Sequence, residues 1–134
     1  MFLYLLNDAE SKAFLELAAL AMQVNGGKKA CEKAAYETYR TELSLPDYET
    51  AGWSFDQAAS AFKYSSAPVR RSVIIELCGL FYADREMDAG ERKWIDALSA
   101  KFQLPEAETE RLIRWSRDFS DFLEIGLMYI NALE

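Results

Sequence analysis

Four carboxylates fall within eight positions between two strongly apolar helical segments of this chain. They are Asp84, Glu86, Asp88 and Glu91, and we call this set the acidic loop. Carboxylate oxygens are hard ligands, which suit Ca²⁺, Mg²⁺ or Mn²⁺ better than Zn²⁺. The sequence therefore predicts these four residues as metal ligands and a divalent cation as the one cofactor of the chain.

Helix capping is the alternative role for the same residues. Asp88 and Glu91 have the spacing of a capping box, and acidic residues in a first helical turn are stabilised by the helix dipole by about 0.3–1 kcal/mol each. The loop is not an EF-hand, because its sixth position, counted from Asp84, is Ala89 instead of glycine and its twelfth is Ile95 instead of glutamate. Capping and cation binding do not exclude each other, so both hypotheses stay open.

The chain contains no histidine. This absence removes Ser-His-Asp and Cys-His catalysis, zinc sites that use histidine, and the usual general base near neutral pH. We therefore expect no enzymatic activity and no catalytic residues. The alternative is a metal-assisted hydrolase that relies on carboxylates, with Glu76 or Glu86 as its base.

Length and charge limit the class of protein and its partners. The 134 residues are about half hydrophobic, which predicts one globular domain over residues 1–134. A net charge of −7 argues against nucleic acid or an anionic membrane as a partner, and no apolar run reaches the roughly 18 residues of a membrane span. We expect a protein partner or homo-oligomer, no membrane insertion and a cytoplasmic location.

Cys31 and Cys78 lack CxxC spacing, which favours reduced structural thiols.

Helical periodicity runs through the whole chain, so we predict an all-α domain of about six to seven helices. Asn7 and Glu10 form one capping-box pattern, and Ser54 and Gln57 form another. The segment from Pro68 to Ala83 is apolar nearly all round, which is typical of a central buried helix. The predicted helices cover about 8–24, 28–44, 54–64, 68–83, a segment ending at 104, 105–117 and 119–133.

Several side chains have a predicted position. Glu76 lies in the apolar helix, where we expect a buried acid with a raised pKa or, more simply, a pair with Arg70 or Arg71. We expect Leu112 and Ile113 to face the core. The following aromatic and aliphatic residues are also expected in the core: Phe2, Leu3, Tyr4, Trp115, Phe122 and Tyr129. The alternative for the terminal aromatics is an exposed patch that receives a partner or a second subunit.

An internal duplication is visible in the sequence. Superimposing Leu45-Pro46 on Leu104-Pro105 gives an offset of 59 residues, which also aligns Glu32 with Glu91. Each half then reads as an αα-hairpin, over about 8–46 and 68–105, followed by C-terminal helices over 105–133. Two such hairpins packed together make a compact helical domain.

A helix that ends in Ala-Asp, an acidic turn, Glu-Arg in the next helix and a Leu-Pro terminator, in duplicate, resembles the tellurite-resistance TerB-like family. The resemblance covers roughly residues 14–112. It implies an all-α fold of about seven helices and a cytoplasmic bacterial module without an established reaction, linked to stress response or tellurite resistance. It also implies that the acidic loop, at Asp84, Glu86, Asp88 and Glu91, binds a divalent cation. The first half departs from the pattern at every carboxylate except Glu32.

Overall fold

A computed structural model describes residues 1–24, 30–84 and 86–132 of the chain. Within these ranges the chain is all-α, as predicted, with no strand. Short 3-10 helices occupy Leu3–Leu5 and Tyr82–Asp84. The six α-helices are α1 (Asp8–Ala21), α2 (Ala30–Glu42), α3 (Phe55–Ser60), α4 (Ala67–Phe81), α5 (Ala89–Lys101) and α6 (Glu106–Ala132). No described helix combines the length and the apolar content needed to cross a bilayer.

Local capping signals set most helix starts. Asn7 and Glu10 form the predicted capping box at the start of α1, and the Ser54 side chain accepts from the Gln57 N–H at the start of α3. Ser66 caps α4, which begins at Ala67, one residue before the predicted proline start.

The ends of α2 and α5 are built alike. Each helix has 13 residues, and its C-terminal turn passes through a residue with a φ of 59°, Ser44 in one case and Gln103 in the other. The N–H of Leu45 bonds the Arg40 carbonyl at 2.8 Å, and the N–H of Leu104 makes the equivalent bond at 3.0 Å. A left-handed residue of this kind satisfies carbonyls that a helix end would otherwise leave unpaired. The bounds of the two helices are 59 residues apart.

Helix α4 is the central element, as its composition predicted. It packs against α1, α2, α5 and α6, and Val73, Ile74, Leu77 and Leu80 on it are fully buried. Phe81 near its end is also buried, against Trp94 of α5 at a centroid distance of 5.8 Å. The core therefore surrounds α4 on several sides.

The C-terminal region is one continuous helix, so the prediction of two helices over 105–117 and 119–133 was wrong. Asp118, the one residue between these segments, is neither glycine nor proline, and the helical hydrogen bonds continue through it. At 1.5 Å per residue, the 27 residues of α6 span about 40 Å, whereas the 15 residues of α4 span about 22 Å. The second half of α6 therefore extends past the helix on which it packs.

This overhang overturns several predicted core positions. Trp115 is 42% exposed, Phe122 72% and Tyr129 70%, and Tyr4 near the N-terminus is 78% exposed. The apolar pattern was read correctly, but the rest of the described chain leaves much of these side chains uncovered. Trp115 is covered in part by Phe2, at a ring-centroid distance of 5.8 Å. Leu3 and Ile113 are buried, as predicted.

Candidate functional site

Two members of the acidic loop cap helix α5. The Asp88 Oδ1 atom accepts from the Glu91 N–H at 2.8 Å, and Glu91 Oε1 accepts from the Asp88 N–H at 3.0 Å. This reciprocal pair is the capping box that the sequence predicted. One oxygen of each carboxylate is therefore committed to the backbone of the first turn.

The four predicted ligands differ in their surroundings. Glu91 is only 2% exposed, whereas Asp88 and Glu86 are exposed. Asp84 closes the 3-10 helix Tyr82–Asp84, and its side chain lies outside the described part of the chain. Within that part, no three His, Cys, Asp or Glu side chains come close enough together to hold a metal ion. The structure thus brings Asp88 and Glu91 together, and the four-ligand cation site stays a prediction.

Another buried acid lies in the helix that packs on the start of this loop. Glu32 is in the first turn of α2 and is 4% exposed. Helix α2 contacts the 3-10 helix Tyr82–Asp84, which opens the acidic loop. Residues 25–29, which include the predicted start of the second helix at about residue 28, lie outside the described residues.

Glu76 is buried in α4, as predicted, but its partners are not Arg70 or Arg71. Its Oε1 atom accepts from the Phe2 N–H at 2.7 Å and lies 3.0 Å from the Met1 amine. Residues five or six positions apart do not share a helix face, which explains why neither arginine reaches it. Burial lowers the pKa of the Met1 amine, but hydrogen bonds to Glu42 and Glu76 outweigh that effect and raise it overall.

Glu76 also lines an apolar groove between the N-terminal segment, α2, α4 and α6. This groove has a volume of about 390 Å³, and a second one of about 450 Å³ continues from it to Tyr82 and Ala83. The two grooves share Gly79 on α4 and, on α6, Ser116, Phe119 and Leu123. Glu76 precedes Ala83 by seven residues, which is about 10 Å along a helix. Glu76 is therefore separated from the start of the acidic loop by about two helical turns, although the two grooves connect these regions.

A large apolar surface covers the second half of α6. Its nine members, which we call the α6 surface, are between 39% and 72% exposed: Trp115, Phe119, Phe122, Leu123, Ile125, Leu127, Met128, Tyr129 and Ile130. No charged residue occurs from position 125 to 132. A helix segment that is apolar on nearly all sides normally lies inside a protein or an interface. Because Trp115, Phe119 and Leu123 also line the first groove, the surface continues into it.

Cys78 does not add chemistry to this region. Its thiol is free and fully buried, and burial raises its pKa to about 12. It is therefore protonated near neutral pH and inert as a nucleophile. The side chain of Cys31 lies outside the described residues.

Sequence reasoning identified the residues of the α6 surface but placed them in the core as its first choice. In the sequence, the run of apolar residues from 125 to 130 leaves this part of the helix without a polar face, which is compatible with burial in the core or in an interface. Comparisons of the chain with known protein families, with curated proteins and with solved structures found no match.

Proposed function

We propose that this chain is a non-enzymatic binding module that assembles through the α6 surface, and that the occupant of this surface is a second copy of the chain. The observation that carries the proposal is the exposure of nine large apolar side chains on one helix. Apolar surface of this kind is normally removed from water, because burial stabilises it by about 25 cal/mol per Å².

The area of the surface matches what a dimer needs. Its side chains are about half exposed, and a large side chain presents roughly 200 Å², so the surface measures on the order of 1,000 Å². The largest apolar patch on a typical monomer is about 300–600 Å². A specific interface buries about 800 Å² per partner, so a second copy that covered most of the α6 surface would form an interface of ordinary size.

A membrane is a poorer occupant than a second copy. From residue 118 to 132 the charged residues of α6 are Asp118, Asp121 and Glu124, all acidic. Anionic lipid attracts basic segments, and the whole chain carries a net charge of −7. The same argument disfavours nucleic acid.

Sedimentation equilibrium tests the proposal. We expect a wild-type dimer at tens of micromolar and a monomer for the double variant Phe122→Glu, Tyr129→Glu, because two charges would then have to be buried. Tyr4→Glu and Tyr64→Glu are matched controls, since both tyrosines are exposed aromatics outside α6. These controls should stay dimeric.

Two outcomes contradict the proposal. One is a wild-type chain that stays monomeric over the whole concentration range. This outcome contradicts the proposal even if lipid vesicles or a different protein bind the chain in a parallel experiment. The other is equal dissociation by Tyr64→Glu, which would show that the effect of the added charge is not specific to α6.

The TerB-like resemblance supports a further part of this proposal, a divalent cation at the acidic loop. The buried carboxylate of Glu91 and the exposed carboxylates beside it give the loop ligands of the right chemistry. Helices α2 and α5 have the same length, begin and end 59 residues apart, and have the same kind of C-terminal turn. These similarities support the duplicated hairpin on which the resemblance rests.

Thermal unfolding with millimolar Ca²⁺, Mg²⁺ or Mn²⁺ tests the cation site. An ion at about 100 times its dissociation constant adds roughly 2.7 kcal/mol to stability. The increase should vanish in a variant that keeps the caps but loses the charges, because asparagine caps helices about as well as aspartate. That variant carries Asp84→Asn, Glu86→Gln, Asp88→Asn and Glu91→Gln. The absence of a shift with every ion would reduce the loop to a helix cap.

The rival proposal, a metal-assisted hydrolase, has weaker support. Glu76 already accepts from the Phe2 N–H and lies beside the Met1 amine, and it is about 10 Å along α4 from the acidic loop. Glu86 is exposed, whereas a catalytic group normally lies in an enclosed pocket.

A further inference from the structure

A polar pocket of about 320 Å³ lies where α3, α4 and α5 approach one another. Apart from Ala59 and Phe62, its lining side chains all carry hydrogen-bond donors: Ser60, Lys63, Arg70, Lys101 and Gln103. Three of these donors are cationic, and no carboxylate lines the pocket. In a chain of net charge −7, this pocket has the opposite sign to the molecule as a whole.

Most of that positive charge is not neutralised by carboxylates. Lys101 pairs with the exposed Asp56 at 2.9 Å. The Lys63 ammonium lies 5.5 Å from the centre of the Tyr64 ring, and within the described ranges it forms no ion pair. Arg70 likewise has no carboxylate partner among the described residues, so the formal charge around the pocket remains +2.

Helix capping explains part of this arrangement. Lys63 follows the C-terminus of α3, Lys101 ends α5, and Arg70 Nη1 donates to the Phe102 carbonyl at 3.3 Å. Cations at helix C-termini are stabilised by the helix dipole and by the last carbonyls. This role accounts for one donor of Arg70 and leaves the rest of the guanidinium to be explained.

The Nε atom of Arg70 does not contribute to binding in the pocket. It is buried and has no hydrogen-bond partner within the described part of the chain, so a ligand that enters from solvent does not reach it. The Nε atom of Arg40, which does not line the pocket, is in the same state. Support for a ligand therefore comes from the cationic groups that line the pocket.

We propose that this pocket binds a phosphate monoester. Arginine and lysine are the side chains that recognise phosphate oxygens, arginine through its fixed set of N–H donors and lysine as a point charge. The volume is roughly ten times the share of one water molecule in the liquid, which leaves room for the esterified group beside the phosphate. The pocket lies on α3, α4 and α5, so this site is independent of assembly through α6.

A titration followed by the backbone amide signals in NMR tests the proposal at constant ionic strength. The probes are phenyl phosphate, inorganic phosphate and sulfate. We expect saturable shifts at the amides of Lys63, Arg70 and Lys101, with phenyl phosphate bound more tightly than inorganic phosphate. Replacing exposed Lys63 by Gln should weaken phenyl phosphate binding about tenfold, the loss of one hydrogen bond to a charged group.

Lys93→Gln is the matched control. It makes the same change in net charge on an exposed position of α5 outside the pocket, and it should change the affinity less than twofold. The absence of saturable shifts with any probe would overturn the site. An equal effect of Lys63→Gln and Lys93→Gln would overturn it too, since binding would then follow overall charge. Equal affinity for all three anions would overturn the assignment to a monoester.

Discussion

Glu16 should be the polar residue that contributes most to stability. It is only 1% exposed, and its carboxylate accepts three hydrogen bonds from the connection between α2 and α3. The donors are the Tyr48 hydroxyl at 2.6 Å, the Ala51 N–H at 2.8 Å and the Trp53 N–H at 3.1 Å. Burial and the Glu16 carboxylate raise the pKa of Tyr48, so its phenol stays a donor. One carboxylate thus holds a whole loop against α1.

The substitution Glu16→Gln should keep two of these hydrogen bonds and remove the third. In its best orientation the amide oxygen replaces the atom that accepts from Tyr48 and Ala51, and the amide nitrogen then faces the Trp53 N–H. One buried donor left unpaired costs about 1–3 kcal/mol, and the two remaining bonds lose the strengthening effect of the charge. We therefore expect a loss of about 3 kcal/mol in the free energy of unfolding. For a domain of this size, that is a fall of about 10 °C in the melting temperature.

Urea unfolding followed by circular dichroism measures this loss. Tyr48→Phe removes one of the three bonds and should lose about half as much stability. Glu37→Gln is the control, because Glu37 is 62% exposed and pairs with Arg40 on the same helix. A loss of less than 1 kcal/mol for Glu16→Gln would refute the reasoning, since the loop would then be held by its apolar contacts alone.

Two further predictions concern protonation. In a Cys31→Ser background, native Cys78 should resist a thiol reagent, and stability to urea should fall as the pH rises above about 9, because the native thiol keeps its proton up to about 12. Glu76→Gln should destabilise the chain at pH 7. Because the raised pKa of the amine contributes stability that is lost as the pH rises above 8.0, the same substitution should have a smaller effect at pH 10.

The features that were predicted correctly from the sequence depend on residues close together in the chain. The capping boxes at Asn7 and at Asp88 need only a side chain and the backbone three residues later, so their spacing is enough. The buried helix α4 follows from its composition, because an apolar helix must lie inside. In the acidic loop, the capping box of Asp88 and Glu91 could be predicted from its spacing in the same way.

What the sequence missed depends on distant parts of the chain. The partner of Glu76 is the backbone 74 residues earlier, and no local pattern points to it. The donors to Glu16 lie 32 to 37 residues away in a loop without periodicity. The exposure of Phe122 depends on the length of α6 relative to α4, and apolar content alone does not reveal it.

Hydrogen exchange of the amides in residues 125–132 tests assembly through the α6 surface most directly. In a monomer most side chains of this segment are exposed and it has little tertiary packing, and such helix ends exchange rapidly. In the proposed dimer it lies in the interface, so exchange should slow at least tenfold at high protein concentration and become rapid again on dilution. The double variant Phe122→Glu, Tyr129→Glu should exchange rapidly at every concentration. Rapid exchange of the wild-type segment that does not change with concentration would contradict the proposal that a second copy covers α6.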